Sequence, residues 1–367
     1  MITRTSPDDH VPVWQRELAR AVTKPEELLR LLQLTPEHFR DYGAAQREFP
    51  LRVPRSYIAR MRPRDPHDPL LLQVLPVAAE SREVPGYSAD PLAERSCMPV
   101  PGVIRKYTGR VLLTVTGACG VHCRYCFRRH FPFADSNPTV KQWDPAIGYI
   151  DRHPPIREVI LSGGDPLSLT DARLAGLLAR LQAIPHISRL RIHTRLPVVL
   201  PERVDDLLLE WLGRARLQCT MVLHLNHPNE IDAGFRRACR RLRTTGLTLL
   251  NQSVLLKGVN DDAKVLASLS ESLFSAGVLP YYLHQLDRVQ GAAHFEVSAE
   301  RAGAIMDDLH ATLPGYLLPR LVREEPGSRG KTSEWPAAGQ RLPAMAERCS
   351  SAAANPPDFN PATDDLT

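Results

Sequence analysis

Between residues 111 and 313 the chain alternates short runs rich in apolar residues with longer stretches whose apolar residues recur every three or four positions. The short runs predict buried strands at 111–115, 158–161, 190–193, 220–225, 247–255 and 281–286. The longer stretches predict helices at 144–152, 171–182, 204–213, 231–244, 262–276 and 299–313, with Gly277 as the stop after the fifth. Six strand-then-helix units predict a parallel sheet with right-handed crossovers, an α/β partial (β/α)6 barrel. Its expected extent is residues 101–335.

Residues 1–100 follow a different pattern and predict a helical N-terminal extension. Thr23 to Glu26 form a capping-box pattern ahead of Leu28, Leu29, Leu31 and Leu32, and Pro36 opens a second helix. Segment 52–69, rich in Pro and Arg, predicts a loop with a short helix, and 76–101 a loop turning at Pro85 and Gly86. The last segment, 336–367, is rich in Ala, Pro, Ser and Asp with little apolar periodicity, and predicts a disordered tail.

Each predicted strand ends in polar or Gly-rich residues: 119–126, 162–167, 193–195, 226–230, 251–252 and 287–290. In a barrel these ends converge on one mouth. The first carries Cys119, Cys123 and Cys126, a C-x-x-x-C-x-x-C array that lets one loop present three thiolates to an iron-sulfur cluster. Such clusters normally take four thiolates, so one iron is left open. The amino and carboxylate groups of S-adenosylmethionine can chelate an open iron, and an electron from the cluster then cleaves the sulfonium to a 5′-deoxyadenosyl radical. The spacing, with Tyr125 before the last cysteine, resembles the signature of the radical S-adenosylmethionine superfamily. A structural zinc is the alternative, with His122 or His130 as fourth ligand; no second cysteine pair follows to complete a zinc knuckle.

Composition narrows the remaining choices. The formal charge of +5 is mild and its basic residues are spread along the chain, so nucleic acid is not an expected partner, and a metal-bearing RNA-binding protein stays a remote alternative. Cys97, Cys219, Cys239 and Cys349 are isolated and read as packed or surface thiols. Seven cysteines without an apolar leader point to a reducing compartment, hence the cytoplasm, and the apolar run 70–79 is too short and broken to span a membrane. Lysine is rare: Lys24, Lys106, Lys141, Lys257, Lys264 and Lys331 are all there are.

Of these, Lys331 sits in a Gly-rich loop, 324–332, beyond the last strand-like piece at 316–322. From there it can reach inward to hold pyridoxal 5′-phosphate covalently. Lys106, Tyr107 and Arg110, just before the first strand, are candidate phosphate donors. Ser162, Gly163, Gly164 and Asp165 follow the second strand; the glycines let backbone approach a ligand, and Asp165 offers a carboxylate to an amino group. Beside the cysteine loop this turn resembles the superfamily's motif for the methionine amino group. Arg128 is a candidate bidentate grip on a substrate carboxylate. Asp287 is a candidate partner for a distal ammonium, with Glu324 sharing that work.

Taken in order, the cysteine loop, the Gly-Gly-Asp-Pro turn, segments 224–230 and 251–261 and the Gly-Lys-Thr loop resemble the lysine 2,3-aminomutase family over residues 95–335. The resemblance implies an isomerase that moves an amino group between carbons 2 and 3 of L-lysine. It implies a [4Fe-4S] cluster on Cys119, Cys123 and Cys126, pyridoxal phosphate on Lys331, lysine oriented by Arg128 and Asp287, and Gln252 among the cofactor-binding residues. An outside electron donor such as flavodoxin is implied as well. Segments 126–133 and 283–295 are most similar to the branch that makes (R)-β-lysine for a ligase acting on elongation factor P. A metabolic aminomutase making free (S)-β-lysine is the alternative. Two departures stand out. The free-lysine enzymes have aspartate where this chain has Glu324, and their C-terminal cysteine group is reduced here to Cys349, which argues against zinc and a family-type tetramer.

Overall fold

The computed structural model describes residues 11–35, 42–133, 143–328, 330–333 and 335. Nine strands form one sheet in chain order: β1 (Val103–Ile104), β2 (Arg110–Thr116), β3 (Glu158–Gly163), β4 (Arg189–Thr194), β5 (Gln218–His224), β6 (Thr248–Val254), β7 (Leu279–His284), β8 (Arg320–Arg323) and β9 (Thr332–Ser333). Strands β2 to β8 run parallel, while β1 and β9 add antiparallel edges, and β1 does not meet β9. The result is an open, partial barrel of the α/β class. Near-continuous apolar runs make β2 and β3 because both of their faces are covered, while β4 and β6 alternate buried and half-buried residues. All of β3 is buried, and so are all but two residues of β2.

The six crossovers carry the six helices expected from the pattern, at Trp143–Asp151, Asp171–Gln182, Asp206–Gly213, Ala233–Arg243, Ala263–Ser275 and Ala299–Thr312. Side chains preceding four of them supply the missing acceptors for the first turn: Asp205 accepts from the Leu208 amide, Asp232 from Phe235, Asp262 from Lys264 and Val265, and Ser298 from Arg301. Gly277, at φ +80°, follows the fifth as expected. The strand-like piece at 316–322 divides: Gly315–Leu317 is a 3-10 turn and only Arg320–Arg323 joins the sheet.

The N-terminal extension shares the barrel's core. Trp14, Leu28, Leu29, Tyr57, Leu70 and Leu71 belong to the same apolar cluster as Leu161, Ile192 and Leu283, and the Arg203 guanidinium lies 4.5 Å from the Trp14 ring centroid. The helix at Pro25–Leu31 begins with Pro25, and no side chain caps it. Thr23 therefore does not form the expected box, and Glu26 instead accepts from Tyr42 Oη at 2.7 Å. Short helices at Val13–Ala19, Gly43–Glu48, Arg55–Ile58 and Pro69–Leu72 complete the extension. The helix expected from Pro36 and the tail 336–367 lie outside the described residues. Among the described residues no helix is long and apolar enough to cross a membrane.

Candidate active site

A cavity of about 400 Å³ opens at the C-terminal ends of the parallel strands. Cys119, Cys123, Cys126, Lys106, Tyr107, Arg110, Arg128, Ser162, Gly163, Gly164, Asp165, Gln252, Asp287, Glu324 and Lys331 all line it, so these candidates share one chamber, while His130 lies outside its lining.

The cysteine loop follows β2, and its three thiols are free and partly buried. Burial raises the Cys119 thiol well above its ordinary range and pushes Cys126 up to about 11, with neighbouring cysteines adding to both. A bound metal would strip those protons, because the thiolate is the ligand. Among the described residues no three His, Cys, Asp or Glu side chains gather on a single ion. Of the two histidines considered for the zinc alternative, His122 Nδ1 meets the Pro50 carbonyl at 2.7 Å and His130 Nε2 meets that of Gln290 at 3.1 Å.

The turn after β3 packs backbone on backbone against this loop. The Gly164 amide donates to the Thr116 carbonyl at 2.6 Å and the Asp165 amide to the Ala118 carbonyl at 2.8 Å. A Cβ on Gly164 would fall 2.3 Å from that Ala118 oxygen, so only glycine allows the approach. Here the structure corrects the sequence expectation for Asp165. Its carboxylate is filled by protein donors: Leu167 N and Thr194 Oγ1 on one oxygen, Arg195 N and Leu196 N on the other, at 2.6 to 3.0 Å. It fastens the turn after β3 to the end of β4, leaving no lone pair aimed at a ligand amino group.

Arg128 is also more committed than expected. Its Nε and Nη2 hold Glu94 in a bidentate pair at 2.7 and 2.8 Å, and Nη1 donates to Ser162 Oγ at 2.9 Å. Two of its five N–H groups remain for a ligand. Glu94, buried, was missed by sequence reasoning, since a lone glutamate 34 positions upstream carries no motif.

Glu324 sits between two lysines. Lys106 Nζ donates to Oε1 at 2.8 Å and Lys331 Nζ to Oε2 at 2.9 Å. Burial alone would raise its pKa, but the two ammonium groups hold it down at about 2. Lys106, expected among the phosphate donors, is thus tied to a carboxylate. Arg110 has no carboxylate partner among the described residues, and its guanidinium lies 3.8 Å from the Tyr107 ring centroid. Asp287 has no side-chain hydrogen bond there either. Burial first, and the Glu324 charge second, push it up to about 7. Lys331 and Lys106 offset this only in part, which makes the place beside Asp287 and Glu324 receptive to a further ammonium.

Imidazoles complete the wall. His193, His224 and His284 are held neutral by burial, His224 down to about 3. The Nε2 atoms of His193 and His224 are buried without a protein partner. His224 and His284 are the last residues of β5 and β7, where a strand's end and its loop cannot be separated from sequence alone.

Below the cysteine loop, Arg195 at the end of β4 ties the elements together. Its Nη1 donates to Cys123 Sγ at 2.7 Å and to Tyr125 Oη at 2.6 Å. Its Nη2 reaches Gln73 Oε1, Glu230 Oε1 and Tyr57 Oη at 2.7, 2.8 and 3.1 Å. Tyr57 and Gln73 come from the N-terminal extension, so that extension forms part of the site's floor.

The residues present fit the groups expected from the sequence. Among the described residues three thiols share one loop without a fourth protein ligand, a lysine faces the same chamber, an arginine stacked on a tyrosine has no carboxylate partner, and two buried imidazole nitrogens have no protein partner. Comparisons with known proteins agree. The Radical SAM superfamily pattern matches residues 113–269, which include the cysteine loop. The chain is 52% identical to an L-lysine 2,3-aminomutase of Escherichia coli over 320 residues, 87% of this chain and 93% of that protein. It is 49% identical to an L-lysine 2,3-aminomutase of Haemophilus influenzae, covering 87% of this chain and 94% of that one. A protein of the same name from Buchnera aphidicola is 43% identical over 90% of this chain and 98% of its own length.

Proposed function

Because this chain belongs to the L-lysine 2,3-aminomutase family, isomerases of the radical S-adenosylmethionine superfamily that use a [4Fe-4S] cluster, S-adenosylmethionine and pyridoxal 5′-phosphate, we propose that it converts L-lysine to (R)-β-lysine for a ligase that modifies elongation factor P. The observation that carries the substrate assignment is the unpartnered Asp287 beside Glu324, in the same chamber as Arg128 and Lys331. Support for the translation-factor branch comes from segments 126–133 and 283–295, which contribute Arg128 and Asp287 to that chamber.

In this reading Cys119, Cys123 and Cys126 would hold the cluster, Lys331 would hold pyridoxal phosphate, and Arg110 and Tyr107 would supply donors for its phosphate. Ser162, Gly163, Gly164 and Gln252 line the S-adenosylmethionine side. When bound, these groups supply a carbon radical that takes hydrogen from lysine and a conjugated ring that steadies the migrating nitrogen. The protein positions and shields. Arg128, its orientation fixed by Glu94 and Ser162, turns its remaining N–H groups to the substrate carboxylate. Lys331 would hold the cofactor through Nζ, which Glu324 Oε2 holds in place at 2.9 Å. A lysine side-chain ammonium would enter beside Asp287 and Glu324. Holding both ends of the substrate would restrict carbons 2 and 3 to one place in the chamber.

The test is anaerobic. The cluster is reconstituted, S-adenosylmethionine, pyridoxal phosphate, dithionite or reduced flavodoxin, and L-lysine are added, and β-lysine is resolved on a chiral column. (R)-β-lysine is the expected product. Predominant (S)-β-lysine would make the chain a metabolic aminomutase, and no β-lysine would overturn the substrate assignment.

A further inference from the structure

We propose that Arg195 sets the reduction potential of the cluster held by Cys119, Cys123 and Cys126, through its hydrogen bond to the Cys123 sulfur. The inference rests on the cluster assignment above and concerns a residue outside the cysteine loop, 72 positions away in sequence.

Arg195 Nη1 lies 2.7 Å from Cys123 Sγ, and the guanidinium is buried, with 5% of the residue exposed. A guanidinium stays protonated in any protein environment, so this donor is permanent. Its direction is fixed, because Tyr57, Gln73, Tyr125 and Glu230 also engage its two terminal nitrogens at 2.6 to 3.1 Å. Reduction adds one electron to the cluster, and much of that charge falls on its sulfur ligands. A donor aimed at one of those sulfurs stabilises the reduced form more than the oxidised one and raises the potential. Glu230 works against it. Its carboxylate, wholly buried, pairs with Nη2 at 2.8 Å and offsets most of the guanidinium's long-range field. It is also held by the Asn226 and His227 amides. The ion pair thus delivers a local hydrogen bond to sulfur with little net charge. Mutations at its two ends should move the potential in opposite directions.

The experiment is a redox titration of the reconstituted holoenzyme followed by electron paramagnetic resonance, with iron, sulfide and circular dichroism measured on every sample. In Arg195→Lys one ammonium cannot serve both Cys123 and Glu230. The ratio of reduced to oxidised cluster at a fixed applied potential is expected to fall about tenfold, or about 59 mV for a one-electron couple. In Glu230→Gln the guanidinium keeps its sulfur contact and loses its counter-charge, so the ratio is expected to rise. A ratio within twofold of the parent in either variant, with four irons bound and the fold intact, overturns the proposal, as do shifts of the same sign. If Arg195→Lys does not take up four irons, Glu230→Gln decides alone: a rise supports the proposal and no rise overturns it. A parent protein that binds no iron-sulfur cluster would instead refute the cluster assignment.

Discussion

Replacing Asp287 by asparagine should make the ligand-free protein more stable while crippling it as an enzyme. Asp287 ionises at about 7 instead of the ordinary 3.8, roughly 3 units, and each unit is worth about 1.4 kcal/mol. Ionising it in the empty chamber therefore costs up to about 4 kcal/mol, and about 1–3 kcal/mol once water and side chains relax around the charge. The sign follows from linkage. A raised carboxyl pKa leaves stability intact below about pH 4 and removes it progressively as pH rises toward 7. Asparagine has the same shape and escapes that loss. In urea denaturation of metal-free, cofactor-free protein, the advantage of Asp287→Asn should therefore grow from pH 5 to pH 7 and level off by pH 8. The same variant leaves a substrate ammonium with Glu324 alone, so its KM for L-lysine should rise about 30-fold or more, ~2 kcal/mol. A variant no more stable at pH 8, or equally favoured at pH 5 and pH 8, would refute the idea that an unpaired carboxyl waits there for a cation.

Two other substitutions test the site from different sides. Gly164→Ala puts a methyl carbon 2.3 Å from the Ala118 carbonyl; it should cost about 3 kcal/mol and lower iron uptake, measured by thermal melting and iron content together. Lys331→Ala should abolish the visible absorbance of bound pyridoxal phosphate while leaving cluster loading unchanged, since Lys331 contacts Glu324 and not the cysteine loop.

The parts legible in sequence are those whose determinants are local. Three cysteines within eight positions announce themselves, and the helix at Asp171–Gln182 was placed to the residue because its apolar spacing begins just after Thr170. Strand positions are legible where the run is apolar and buried, as in β2 and β3, and in β4 and β6 from alternation of apolar and polar residues. What stayed hidden depends on pairing across long separations or on side-chain direction. Nothing near Glu94 marks it as the partner of Arg128. Asp165 stands where a ligand-binding carboxylate would, and only the approach of β4 shows that its oxygens are filled. The helices at Arg55–Ile58 and Pro69–Leu72 are four residues each, too short to show a period. Thr23 failed as a cap because the proline two residues on already took the first helical position.

The order in which this floor is assembled matters during synthesis. Tyr57 bonds Glu230 from 173 residues away, and Lys106 bonds Glu324 from 218 away. A ribosome adding about 5–20 residues per second exposes Tyr57 and Gln73 many seconds before Glu230 emerges, and Lys331 is later still. The three thiols are thus made well before the wall that shields them. A chain still on the ribosome therefore holds its cysteine loop without the Glu230 and Glu324 contacts of the finished chamber.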